Sequence, residues 1–324
     1  MSAITDERRP DDASSPDDAT PPGGRPGRDA LRQMGSPHRA RHVKDRIARV
    51  VMWFCFFLAM IPLVWILWTV ISKGAHLLGS MEWWTGNQRN INSDDASGGA
   101  RHAIEGTLQM VGVTALIAVP IGILTAVYLV EYGRGALARV ISFTVDILSG
   151  IPSIVAALFI YAVWVTTFGI SRSGFAASLA LVLLMIPVIV RSTEEMLKLV
   201  PNELREAAYA LGVPKWLTIV KVVIPTSIAG ITTGVTLAIA RVIGETAPLL
   251  IIAGFTQSMN YDLFNGRMMA LPLFVYTQYA NPGTDVQAYL DRAWAAALTL
   301  ILIVMALNLI ARLVARIFSP KLSR

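Results

Sequence analysis

Charge is scarce in this sequence. Only 15% of its 324 residues are Asp, Glu, Lys or Arg, while 54% are hydrophobic and the mean hydropathy is +0.54. Soluble domains carry about a quarter charged residues, so a soluble globular chain of this size is excluded. Cysteine is scarcer still. Cys55 stands alone, which rules out an intrachain disulfide and leaves the sequence silent on redox compartment. The four histidines do not gather with carboxylates or thiols, and no metal cluster or catalytic triad is expected. No Gly-Lys dipeptide occurs, so the phosphate-cradling loop G-x-x-x-x-G-K-[ST] is absent. No enzyme activity is expected of this polypeptide by itself. The first residues also lack an apolar run. The first such run begins near residue 50, too late for a signal peptide, and reads as a retained helix.

What is present is a series of long apolar runs. Residues 50–71, 104–130, 140–168, 175–190, 227–254 and 294–318 each read as a membrane span, given the roughly 20 apolar residues a bilayer requires. The fourth is shortest and must extend into its polar flanks. The sequence therefore predicts an all-α, multi-pass membrane protein of about six helices. Of the 28 Lys and Arg residues, 21 fall at the two ends and in the links 132–139 and 191–225. Six fall in the alternate loops 73–103, 169–174 and 255–293, and Arg241 alone lies in the middle of a run. By the positive-inside rule both termini are expected to be cytosolic. The pI near 9.6 thus reflects orientation, and no nucleic-acid partner is expected. Residues 1–45, rich in Pro, Gly, Asp and Arg, read as a disordered cytosolic tail. Residues 46–324 read as one transmembrane domain.

Pro62, Pro120, Pro152, Pro187 and Pro248 lie inside five of the six runs. Each removes a helix hydrogen bond, and the freed groups must face protein or a wet cavity. Five together fit a bundle that moves or lines a pathway. Gly230 and Gly234 have the spacing that lets two helices approach closely. In the loops, Trp83 and Trp84 are expected at the lipid headgroup level. Leu271–Gly283 is expected on the membrane surface or over the external mouth.

The segment Pro201–Pro225, "PNELREAAYALGVPKWLTIVKVVIP", reads as two short helices set at an angle. Asn202 is the expected N-cap, and Glu203 and Glu206 suit the positive end of the first helix. Gly212 is the expected stop. Pro214 suits the first turn of a second helix, and Pro225 is expected to end it before the fifth span.

The spacing Glu206-Ala207-Ala208, three residues, Gly212, nine residues, then Val222-Val223-Ile224-Pro225 resembles the EAA loop of ABC-importer permeases. Val222 and Ile224 stand where that pattern has Ile and Leu. The resemblance implies a loop that inserts into a cleft on a separate ATPase subunit. Glu206, Ala207, Ala208, Gly212 and Pro225 are the expected coupling residues.

Charges inside the apolar runs mark the expected pathway, because a charged residue at membrane depth faces protein or water. Arg241 lies in the middle of the fifth run, with Glu245 four residues later on the same helix face. One reading is a mutual ion pair that serves packing. The other is that Arg241 presents a planar fork of donors to an oxyanion, while Glu245 keeps the anion from binding too tightly. Pro248 would clash with the carbonyl of Gly244, so a kink around Glu245 is expected, with the Thr246 hydroxyl inside it. Arg191, Glu194 and Glu195 form a second charged group at the end of the fourth run, and Asp146 in the third has no assigned partner.

The segments "IPVIVRSTEEMLKLVPNELREAAYALGVPKW", "AIARVIGETAPLL" and "ILSGIPSIV" are similar to the PstA family of phosphate-transport permeases, over about residues 45–320. That resemblance implies a type I ABC importer fold in a bacterial cytoplasmic membrane. It also implies a homologous second permease, two ATPase subunits that carry ATP and Mg, and an extracytoplasmic phosphate-binding protein. No cofactor is expected on this chain. In the family, the residues matching Arg191, Glu194, Arg241 and Glu245 are associated with phosphate passage by alternating access. Another oxyanion as cargo, ATP-independent transport, and a phosphate-sensing role are the alternatives.

Overall fold

A computed structural model of the chain describes residues 39–318 apart from 93, 94 and 96. The expected tail lies outside the described residues up to residue 38, and the chain is already helical from Arg39. The chain divides into two units, Met1–Leu63 and Val64–Arg324. The first unit holds the opening part of helix α1 (Arg39–Leu78), apolar and exposed, with Cys55 also exposed.

The regular elements of the second unit are all helices, without strands among the described residues. After α1 come α2 (Met81–Thr85) and α3 (Arg101–Val127), which closes in a π turn at Tyr128–Tyr132. Then follow α4 (Gly135–Gly150), α5 (Ser153–Tyr161) and α6 (Gly174–Lys198). Next are α7 (Asn202–Ala210), α8 (Lys215–Thr218) and α9 (Ile224–Ile243), and finally α10 (Leu271–Ala280) and α11 (Val286–Phe318). Among the described residues five helices are long and apolar enough to span a membrane, or six if one bent pair counts as a span.

That bent pair is the third apolar run, expected as one span. Residues Gly135–Gly150 and Ser153–Thr167 meet at 105°. Pro152 is the cause. It has no N–H to continue the helix, and it forces Ile151 before it into extended backbone at φ −73°, ψ 126°. Pro62, Pro120 and Pro187 stay inside continuous helices.

The fifth run differs in the opposite sense at its start. Pro225 does not end a helix; Lys215–Ile243 is continuous over 29 residues. The chain passes through a π turn at Ile219–Val223, where the Ile224 N–H reaches back to the Ile219 carbonyl. This wider turn accommodates the proline ring in the second position of α9. The first of the two expected short helices is present as α7, but its cap is Pro201 and Asn202 lies inside it. The Asn202 side chain instead accepts a bond from Arg205 at 3.3 Å.

Helix α6 is the axis of the second unit. Its apolar stretch is 67% buried, at least twice the share of any other continuous span among the described residues. Small residues on its neighbours make this possible. A side chain at Gly122 of α3 would start 2.7 Å from Ile189 Cγ2, and one at Gly234 of α9 would start 2.5 Å from Ser192 Oγ. Gly230 lies equally close against Met196. The expected glycine pair is therefore the α6–α9 seam. Gly234→Val is expected to lower stability by about 1–3 kcal/mol, the usual cost of overpacking, read as a lower thermal midpoint in detergent.

Two loop expectations are corrected. Trp83 is not at a membrane surface: it is buried, edge-on to Phe274, with its Nε1–H donating to Thr299 Oγ1 at 3.0 Å. Trp84 remains 40% exposed. Leu271, Leu273 and Phe274 of α10 belong to the same core as Trp83, because their apolar faces have protein to bury against. The loop before α10 is fixed by Asp262. Its carboxylate accepts from the Asn265 side chain at 2.8 Å and the Phe264 N–H at 2.9 Å, which holds its pKa below the usual carboxylate value.

Candidate functional site

Two of the expected site residues, Arg191 and Glu194, lie in the last two turns of α6. Their spacing of three places both on one helix face. Arg191 Nη1 donates to Glu194 Oε2 at 2.7 Å, and Lys198 Nζ donates to Glu194 Oε1 at 2.7 Å. The other guanidinium nitrogen crosses to α4. Arg191 Nη2 donates to Ser142 Oγ at 3.1 Å and pairs with Asp146 Oδ1. Asp146 thus finds the partner that the sequence did not supply. Forty-five residues separate it from Arg191, and the bend at Pro152 lies between them, so no local spacing announced the contact. Glu195 is exposed and makes no ion pair among the described residues.

This cluster holds two cations, Arg191 and Lys198, against two anions, Asp146 and Glu194. Glu194 is only 12% exposed, Arg191 33% and Asp146 62%. The cluster is neutral in sum, and the Arg191 fork is occupied. An anion arriving here must displace carboxylate contacts.

Arg241 stands in contrast. Helix α9 ends at Ile243, so Arg241 occupies its last turn and not the middle of a span. The Gly244 N–H closes on the Arg241 carbonyl at 3.2 Å, and the Glu245 N–H on the Val242 carbonyl at 3.1 Å. The chain then leaves helical geometry before a separate π turn at Leu249–Ala253. The expected kink is a full break. Its physical reason is the Gly244–Pro248 combination, a poor helix former followed by a residue that cannot donate. The break takes Glu245 off the helix face of Arg241, and the expected ion pair does not form. Among the described residues the side chains of Arg241, Glu245 and Thr246 make no hydrogen bond or ion pair. Arg241 is exposed, and Glu245 and Thr246 are half-buried.

The glycine seam fixes how the two arginines stand. Gly230 faces Met196 and Gly234 faces Ser192, so α6 and α9 run antiparallel in one register. On that register Arg241 lies level with residue 185, six residues from Arg191, or about 9 Å along the helix. The link 199–214 joins the helix that carries Arg191 to the continuous helical segment Lys215–Ile243 that carries Arg241. Gly212 turns it at φ +75° and donates its N–H to the Tyr209 carbonyl at 2.9 Å. Glu206 and Ala207 are exposed, while Ala208 is buried against the bundle. Apolar side chains project around the turn, with Leu211 83%, Leu199 73% and Trp216 61% exposed. A groove of about 450 Å³ also runs between α9 and α11, lined by Thr232, Thr233, Thr236, Asn308, Arg312 and Arg316; no spacing or motif announces it.

The family described as binding-protein-dependent transport system inner membrane component matches residues 118–324. Phosphate transport system permease protein PstA 1 of Mycobacterium tuberculosis (strain ATCC 25618 / H37Rv) is 52% identical over 274 residues, covering 85% of this chain and 88% of that protein. The phosphate transport system permease protein PstA of Pasteurella multocida (strain Pm70) is 41% identical over 293 residues, 90% of this chain and 100% of that one. Among solved structures, an inward-facing MetNI methionine ABC transporter aligns with a TM-score of 0.55 at 21% identity, over 67% of this chain and 95% of that chain. That likeness concerns the fold.

Proposed function

The chain belongs to the binding-protein-dependent transport system inner membrane components, within the PstA phosphate permeases, and from that membership we propose how it works. It is the permease subunit of an ABC importer that carries inorganic phosphate across the cytoplasmic membrane, with both termini cytosolic. It pairs with a homologous permease (PstC-like). Two ATPase subunits (PstB-like) hold ATP and Mg and dock on the exposed Leu199–Trp216 face. An extracytoplasmic phosphate-binding protein (PstS-like) delivers the anion, and no cofactor resides on this chain.

The observation that carries the mechanism is the pairing of an occupied arginine with an open one on adjacent, antiparallel helices. Arg241, unpaired at a helix end, offers its planar donors to phosphate as it enters, and Thr246 adds a hydroxyl. Without such a group, moving an anion into a low-dielectric region carries a prohibitive desolvation cost. Arg191 lies about 9 Å further along the seam. Asp146 and Glu194 hold it, and phosphate gains it only by exchanging with those carboxylates. The exchange limits how tightly the anion is held, which transport requires. Glu245 contributes repulsion near Arg241 that favours release.

The complex reconstituted in liposomes is expected to take up phosphate only with ATP inside and the binding protein outside. Uptake that persists without ATP would exclude the importer mechanism. Equal uptake of sulfate would move the cargo to oxyanions in general.

A further inference from the structure

The coupling loop grips the end of a helix that lies far from it in sequence. Arg205 of α7 donates from Nε and Nη2 to Glu131 Oε1, at 3.1 and 2.8 Å. Glu131 sits in the π turn that closes α3, seventy-four residues away in sequence. The pair is enclosed, with the Arg205 side chain 13% exposed and Glu131 6%. Arg205 also bonds the Val200 carbonyl at 2.7 Å and the Leu197 carbonyl at 3.1 Å, tying the end of α6 into the same knot. A second cation reaches the same turn from the other helix of the loop. Lys215 Nζ donates to the Glu131 carbonyl and lies 4.8 Å from the centre of the Tyr132 ring.

We propose that the Arg205–Glu131 pair, seconded by Lys215, is the joint through which the coupling loop drives the elbow between α3 and α4. The inference rests on the importer mechanism above and adds a route to it. The direct route, through α6 and α9, has little freedom for relative motion, because Gly230 and Gly234 bring those helices into close contact. The elbow offers what that seam lacks. Beyond Glu131 the chain turns at Gly133 and at Gly135, whose φ is +74°, and enters α4. That helix carries Ser142 and Asp146, the groups that hold Arg191. A stroke delivered to Glu131 therefore moves the carboxylate that competes with phosphate for Arg191. Two charges are needed because a desolvated pair resists separation, whereas an exposed pair would slip. Arg205 and Glu131 are positioning residues in this scheme and touch no phosphate.

Glu131→Gln is the informative substitution, since it removes the charge yet leaves Arg205 its bonds to Leu197 and Val200. In the complete complex in liposomes, phosphate moved per ATP hydrolysed is expected to fall about tenfold, within the usual range of coupling between sites. ATP hydrolysis is expected to continue. Arg205→Lys, which keeps the charge, should retain part of the ratio. An unchanged ratio in Glu131→Gln overturns the proposal. Wild-type protein without ATP-dependent uptake would instead overturn the importer mechanism itself. Should Glu131→Gln fail to assemble, spin labels decide the matter in otherwise wild-type complex. Placed at Leu137→Cys on α4 and Glu203→Cys on α7, in a Cys55→Ser background, they should keep a constant separation when ATP closes the ATPase dimer. A separation that changes on closure would show that no joint exists.

Discussion

Arg241→Gln is expected to abolish phosphate uptake while the complex assembles normally. The two halves of this expectation have different physical grounds. Assembly survives because Arg241 is exposed in the last turn of α9 and pairs with no acid among the described residues, so its removal orphans none of them. Transport fails because a bidentate, charge-assisted contact to a phosphoryl oxygen pair is lost. At about 3 kcal/mol for that contact, uptake should drop roughly 100-fold. Arg241→Lys should recover part of the rate, since it restores charge without the planar fork. Radiolabelled phosphate uptake, set beside the thermal midpoint of the same preparation, separates the two effects. Normal uptake by Arg241→Gln would remove the residue from the pathway.

Arg191 does not permit so clean a test. Its removal frees Asp146 and leaves Glu194, 12% exposed, with Lys198 as its only cation among the described residues. Instability and lost transport would then arrive together. The contrast between the two arginines was only partly legible in the sequence. A cation inside an apolar run announces itself, and so do Arg191 and Glu194 three residues apart on a helix. Whether each cation is occupied depends on long-range contacts. Asp146 meets Arg191 only because Pro152 folds the third run back at 105°, and a hydropathy profile reads that run as one span. Conversely, the spacing of Arg241 and Glu245 predicts a helical ion pair, and the break at Gly244 cancels it.

The same limit appears elsewhere in the fold. Apolar runs located the spans because hydropathy is a local property of the chain. The glycine seam was legible too, since Gly230 and Gly234 carry their spacing with them. Trp83 was misplaced because a tryptophan in a polar loop looks the same whether it meets headgroups or Phe274 and Thr299. Pro225 was misplaced because the π turn that accommodates it has no simple sequence signature. The Arg205–Glu131 joint has no sequence signal for the reason that the partner of Asp146 has none: its halves lie on segments that only tertiary packing brings together.

Gly212→Pro is expected to uncouple ATP hydrolysis from transport, and Gly212→Ala to leave coupling largely intact. The comparison isolates what the turn contributes. Gly212 has φ +75°, and a side chain there would meet no atom within 4 Å. Alanine therefore faces no steric clash and costs only the left-handed backbone penalty of about 1–2 kcal/mol. Proline cannot adopt positive φ, and it also removes the N–H that donates to the Tyr209 carbonyl. The angle between α7 and α8 must then change, and with it the arrangement by which Arg205 and Lys215 hold the Glu131–Tyr132 turn from two sides. The loop would still present Leu211 and Trp216, so docking can persist while the stroke no longer reaches α4 and α9. The expected signature is continued ATP hydrolysis with uptake near background in Gly212→Pro, and uptake within about threefold of wild type in Gly212→Ala. Equal loss in both variants would mean that the exposed surface of Gly212, and not its backbone geometry, is what coupling requires.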